Sequence, residues 1–150
     1  MTIRSNPSLL LIGTNGGYKI LERSQAADIV AVEPQRVIRD MAAAREADTG
    51  GSVGSFSLQG GSVYSLPERN RSGFDMVEIS LDFLREDNNN RYGFTQEAVD
   101  SYLGMLSQHG VLSVAVDISE FTYYAIKVVN TIVDGLRRLG VENPASCLIR

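Results

Sequence analysis

The residues best able to do chemistry in this chain are a glycine-rich turn, Gly13-Thr14-Asn15-Gly16-Gly17, and a carboxylate, Glu33, twenty positions beyond Gly13. Each closes an apolar run. Leu9-Leu10-Leu11-Ile12 leads into the turn, and Ile29-Val30-Ala31-Val32 leads into the acid. An apolar run that breaks into glycines reads as a buried parallel strand delivering its C-terminal end to a ligand. Glycine lets the backbone approach that ligand closely and take φ values that a side chain forbids. A carboxylate at the end of the neighbouring strand can accept hydrogen bonds from both hydroxyls of a ribose. Turn and acid together describe a nucleoside site. The competing description is an ordinary strand-to-helix turn with a surface glutamate.

The spacing argues against two phosphate-binding turns. A dinucleotide site needs Gly-x-Gly-x-x-Gly, and here Asn15 and Tyr18 stand at the second and third glycine positions. A P-loop needs glycine before its lysine and a hydroxyl after it; Lys19 is in register, but Tyr18 and Ile20 flank it. Both failures fall on residues that would touch phosphate, so the expected ligand lacks a pyrophosphate. Other reactive types read more plainly. His109 beside Gly110 suits an exposed helix end, Glu78 a paired strand carboxylate, Glu86 and Asp87 a solvated loop, and Tyr123-Tyr124 core or rim. No His/Cys cluster has ligand spacing, so no metal is expected.

The elements that must position the turn and the acid follow from hydropathy. Strands are predicted over 9–12, 28–32, 74–80 and 111–116, with a weaker one at 56–58. Tyr18 to Arg23 suits a short helix whose positive end faces the turn. Val37, Ile38, Met41 and Ala42 recur at helical spacing after Pro34, and that helix should fade near Arg45. Thr95 is a cap for a helix carrying Ala98, Val99, Tyr102, Leu103 and Leu106 on one face, stopping near His109-Gly110. A long helix carries Val128, Val129, Ile132, Val133 and Leu136, with Arg137 and Arg138 in its last turn and Gly140 as its stop. Residues 145–149 read as the opening of a sixth strand, and 85–91 as a polar loop over the site. Strands alternating with helices imply an α/β fold: a Rossmann-like, doubly wound, mainly parallel sheet with helices on both faces.

Composition narrows the partners. A formal charge of −4 and a pI near 5.0 speak against nucleic acid or an anionic membrane. No apolar run approaches the ~20 residues of a membrane span, and Met1 to Pro7 lacks the apolar core of a secretion signal, so a cytoplasmic location is expected. Cys147 is the single cysteine and lies in a short apolar run, which predicts burial and not reactivity. The length suits one domain, 1–150. Because the last strand is barely begun at Arg150, the chain reads as excised from a longer protein, a short natural chain being the alternative.

Taken together, Leu10 to Gly17, Val32-Glu33-Pro34, Phe74 to Ser80, Tyr92-Gly-Phe-Thr-Gln-Glu-Ala98 and Gly110 to Val114 resemble the class I S-adenosylmethionine-dependent fold. Within it they are similar to the spermidine synthase-like family, which includes large membrane-embedded members. The stretch Tyr92-x-x-Thr95-x-Glu97-Ala98 carries the narrower resemblance. The family implies that Gly13, Thr14, Asn15, Gly16 and Gly17 pass beside the methionine part of S-adenosylmethionine or its decarboxylated relative. It implies that Glu33 holds the ribose and that Gln59 and Gly60 flank the adenine. Ser80 falls where aminopropyl transfer uses an aspartate, with Asp82 two residues on. Three departures stand out: Tyr18 replaces an acid after the turn, Gln59-Gly60 an acid before the adenine, and Ser80 the base. A neutral serine is a poor base at pH 7. The expectation is therefore an S-adenosyl-binding transferase domain with a degenerate site. The alternative is a non-catalytic structural or regulatory domain of a larger protein, partnered by the rest of that chain or by a second copy.

Overall fold

The computed structural model describes residues 7–15, 28–48, 55–66, 72–80, 93–116 and 122–148. Five strands, β1 (Ser8–Ile12), β2 (Asp28–Val32), β3 (Phe56–Gln59), β4 (Phe74–Ile79) and β5 (Leu106–Val114), form one sheet in the order β3-β2-β1-β4-β5. Every pairing is parallel, as the continuous apolar runs require. Leu10 and Ile12 of β1 join the core on one face, Leu9 and Leu11 the core on the other, so both faces are covered. The chain winds outward from β1 through β2 to β3, then returns to the far side of β1 with β4. That reversal opens a crevice at the carboxyl ends of β1 and β4, where sheets of this kind take their ligands.

Three α-helices among the described residues accompany the sheet. Helix α1 (Arg36–Asp48) follows β2 and buries Ala42 against Leu9, Leu11, Ile29 and Ala31. Of its predicted apolar stripe, Val37 and Met41 face solvent. Helix α2 (Gln96–Met105) is capped by Thr95, whose hydroxyl oxygen accepts from the Ala98 amide, and buries Ala98, Val99, Tyr102, Leu103 and Met105. Helix α3 (Thr122–Arg138) lies against α2. A Cβ on Gly135 would stand 3.0 Å from Leu103 and 3.1 Å from Val99, so the absent side chain sets how near the helices come. Val128 is buried as expected, whereas Val129 is exposed. Gly140, at φ 84°, ends α3: its amide donates to Arg137 and the Val141 amide to Leu136, closing the helix as predicted.

The largest differences from the sequence reading are at two places. Helix α2 does not continue to His109-Gly110; it stops at Met105, and Leu106 turns directly into β5. Phe74 pairs with Leu106 and Met76 with Val111, so β5 carries extra residues in a bulge between those pairs. His109 is therefore an exposed strand residue, and Gly110 is absent from the positive-φ positions. What Gly110 provides is room, since a Cβ there would stand 2.7 Å from the Phe74 carbonyl. The second difference is at the C-terminal end. Pro144–Cys147 is a 3-10 turn and not the start of a sixth strand, and it buries Pro144 while leaving Cys147 exposed. Pro144 has the fixed φ of a first helical residue, and the Ser146 and Leu148 amides donate back to Asn143 and Ala145, so the run turns instead of extending. The predicted helix at 18–23 and the polar loop at 85–91 lie outside the described residues. No helix among the described residues is long and apolar enough to cross a membrane.

Candidate functional site

Across the carboxyl edge of the sheet runs a chain of backbone hydrogen bonds that extends the ladder past the strand ends. Ser80 donates to Ile12 at 2.9 Å, Gly13 to Val32 at 2.9 Å, and Glu33 to Gln59 at 2.9 Å. These bonds bring Gly13, Thr14, Asn15, Glu33, Gln59, Gly60 and Ser80 together, seven residues separated by up to 67 positions in the chain. Gly16, Gly17 and Asp82 lie outside the described residues.

The turn has the backbone that its composition suggested. Gly13 takes φ 77° and Asn15 φ 48°, the left-handed region that glycine enters freely and asparagine tolerates. Between them Thr14 is wholly buried, and it points at the acid. Glu33 Oε2 accepts from both the Thr14 amide and the Thr14 hydroxyl, each at 3.1 Å, and Oε1 accepts from the Gln35 amide at 3.1 Å. Glu33 is 3% exposed, so these bonds replace the water it has lost. A carboxylate offers about four acceptor sites, and three are filled by described residues. Two of the three donors are backbone amides fixed by the fold. The third, the Thr14 hydroxyl, can rotate away. Oε1 keeps one site and Oε2 can release one, which is what a ribose diol requires. The residues present thus fit a nucleoside.

One side chain here carried no signal in the sequence. Arg39, in the first part of α1, folds back so that Nη1 donates to the Glu33 carbonyl at 3.1 Å. Its guanidinium also lies over Gly60, where a Cβ would stand 2.7 Å from Nη1 and 3.0 Å from Cζ. Helical arginines usually read as solvated, and only the close approach of β3 to α1 reveals this one.

The other candidate residues lie around this edge or away from it. Ser80, 2% exposed, stands at the end of β4, with no described carboxylate in its place. Glu78 is buried in mid-strand with Leu11 and Ser113 as register partners, below the carboxyl edge. Tyr123 is exposed on α3 with the Lys127 ammonium 4.9 Å over its ring, a rim position. No cluster of metal-ligating side chains occurs among the described residues.

No family model matches the sequence, and no curated protein matches it either. Solved structures do match in shape. The [4+2]-cyclase SpnF superposes with a TM-score of 0.66 at 17% identity, over 89% of this chain and 51% of that one. A methyltransferase from Pyrococcus furiosus gives 0.61 at 16%, over 93% and 66%. The glycopeptide N-methyltransferase MtfA, solved with S-adenosylmethionine, gives 0.56 at 16%, over 79% and 51%. This chain spans about half to two thirds of the length of those proteins. Identities this low speak to architecture, and architecture is what they agree on: the chain has the Rossmann-like fold of class I S-adenosylmethionine-dependent methyltransferases.

Proposed function

We propose that this chain binds an S-adenosyl compound at the carboxyl edge of the sheet, where β1 ends beside both β2 and β4, as a spermidine synthase-like domain whose catalytic site is degenerate. The observation that carries the reading is Glu33, a buried carboxylate at the end of β2 held against the left-handed turn at Gly13 to Asn15. In this reading the turn passes beside the methionine part, Glu33 holds the ribose, and Gln59-Gly60 flank the base. The chain's own contribution is binding and orientation. Proton removal from an amine acceptor has no suitable group at Ser80, and the fold itself hosts more than one chemistry, as the cyclase SpnF illustrates. The polyamine branch rests on the stretch Tyr92 to Ala98.

A second reading is favoured by one observation. Three hydrogen bonds from Thr14 and Gln35 already occupy Glu33, which equally suits a structural acid in a domain that serves assembly or regulation. Calorimetric titration with S-adenosylmethionine, decarboxylated S-adenosylmethionine and S-adenosylhomocysteine separates the two. Saturable binding of at least one supports the nucleoside site, and none supports the structural domain. Putrescine with decarboxylated S-adenosylmethionine should yield no methylthioadenosine. General-base assistance is typically worth about 10²–10⁴ in rate. Turnover within tenfold of a spermidine synthase would overturn the degenerate site.

A further inference from the structure

The guanidinium of Arg39 spans the carboxyl ends of β2 and β3, hydrogen-bonded to the Glu33 carbonyl and packed over Gly60. On the nucleoside reading, that is where the base lies once Glu33 has the ribose. The resemblance calls for an acid at this place, which would accept from the exocyclic amine of adenine. Here Gln59 and Gly60 stand instead, and the charge beside them is positive. A guanidinium presents five N–H donors and no acceptor. One donor is used on Glu33, and a planar guanidinium can stack on a purine ring as well as donate to it.

We propose that Arg39 reads the base of the bound nucleoside by donating to its ring or carbonyl acceptors, so that the site selects a purine by acceptors and not by an exocyclic amine. Gly60 belongs to the same device, because any side chain there would displace the guanidinium. The ligand class is a 5′-thioether or sulfonium purine nucleoside whose base edge offers acceptors. An inosyl compound, with a carbonyl oxygen where adenine has its amine, should be accepted as readily as an adenosyl one.

The inference rests on the proposed nucleoside site, and the test keeps the two apart. Affinities for S-adenosylhomocysteine and S-inosylhomocysteine are measured by calorimetry on the whole chain as wild type, Arg39→Ala and Gly60→Ala. Gly60 has no positive φ and a methyl there meets the mobile end of a side chain, so the second variant keeps the fold and moves the guanidinium. Wild type should bind the inosyl compound at least as tightly as the adenosyl one. Arg39→Ala should weaken both by roughly tenfold or more, as expected for a hydrogen bond from a charged group, and Gly60→Ala should weaken them in the same direction. Equal affinity in all three proteins, or a hundredfold preference of wild type for the adenosyl compound, overturns the role of Arg39 while leaving the nucleoside site standing. Absence of binding to wild type overturns both.

Discussion

At Glu33 the carboxylate holds the glycine turn through Thr14 and the entry to α1 through Gln35. Removing it therefore has two costs. Glu33→Ala leaves buried donors without acceptors, each worth about 1–3 kcal/mol of stability. If an S-adenosyl compound is bound, its affinity should also fall by about 1.5–3 kcal/mol, the scale of hydrogen bonds to a charged group. Urea unfolding reports the first and calorimetry the second, and unchanged affinity in a folded variant would mean the ribose is held elsewhere. Thr14→Val isolates the hydroxyl. It keeps the volume and the backbone amide but frees one acceptor site on Oε2, so binding should be retained or strengthened; a tenfold loss would show the hydroxyl itself serves the ligand. Glu33 and its turn were legible in the sequence because a strand end announces itself by a break in hydropathy. Arg39 was not, because its place depends on β3 approaching α1, a contact that no local pattern encodes.

Among the elements, the junction of α2 with β5 carries the most distinctive constraint. Asp75 of β4 accepts from the Ser8 amide at 3.0 Å and from the Ser107 hydroxyl at 3.2 Å, tying β1 and the bulge of β5 to one strand. Gly110 lets that bulge approach Phe74. Because the obstructing atom is a backbone carbonyl, Gly110→Ala should cost about 1–3 kcal/mol, read as a lower urea midpoint at unchanged slope; a cost below about 0.5 kcal/mol, that of an ordinary surface change, would contradict the packing described. Helix α2 supplies a pH signature as well. Burial, reinforced by Tyr64 and Tyr124, pushes the Tyr102 phenol well above its ordinary value, and its hydroxyl donates to the Gly93 carbonyl at 3.0 Å. A raised folded value means stability that is present below the unfolded value, about pH 10, and lost as pH rises beyond it. Tyr102→Phe should lose about 0.5–1.5 kcal/mol at neutral pH yet decline less than wild type between about pH 9 and pH 11. An identical alkaline decline would show that Tyr102 is not the titrating group. The sequence placed the start of α2 correctly, since Thr95 is a local signal. It misplaced the end because Leu106 continues the helical spacing and His109-Gly110 resembles a helix stop, whereas the true partner of Leu106, Phe74, lies more than thirty positions away.

For the molecule as a whole, the direction of the strands was readable from continuous apolar runs, which demand cover on both faces and therefore parallel pairing; their order, β3-β2-β1-β4-β5, was not. The strand that failed, expected over 145–149, spends its amides locally instead: Ser146 donates to Asn143 and Leu148 to Ala145, which closes a 3-10 turn. What the fold achieves is to gather Gly13, Glu33, Gln59 and Ser80 along one edge through the bonds that extend its ladder. The central claim is that an S-adenosyl compound occupies that edge. Amide chemical shifts of the 15N-labelled chain, followed while S-adenosylhomocysteine is added, test it most directly. Saturable shifts are expected at Gly13, Thr14, Asn15, Glu33, Gln59, Gly60 and Ser80, with His109 at the far end of β5 and the amides around Gly140 unmoved. Shifts centred away from the carboxyl edge of the sheet, or none at millimolar ligand, would contradict it.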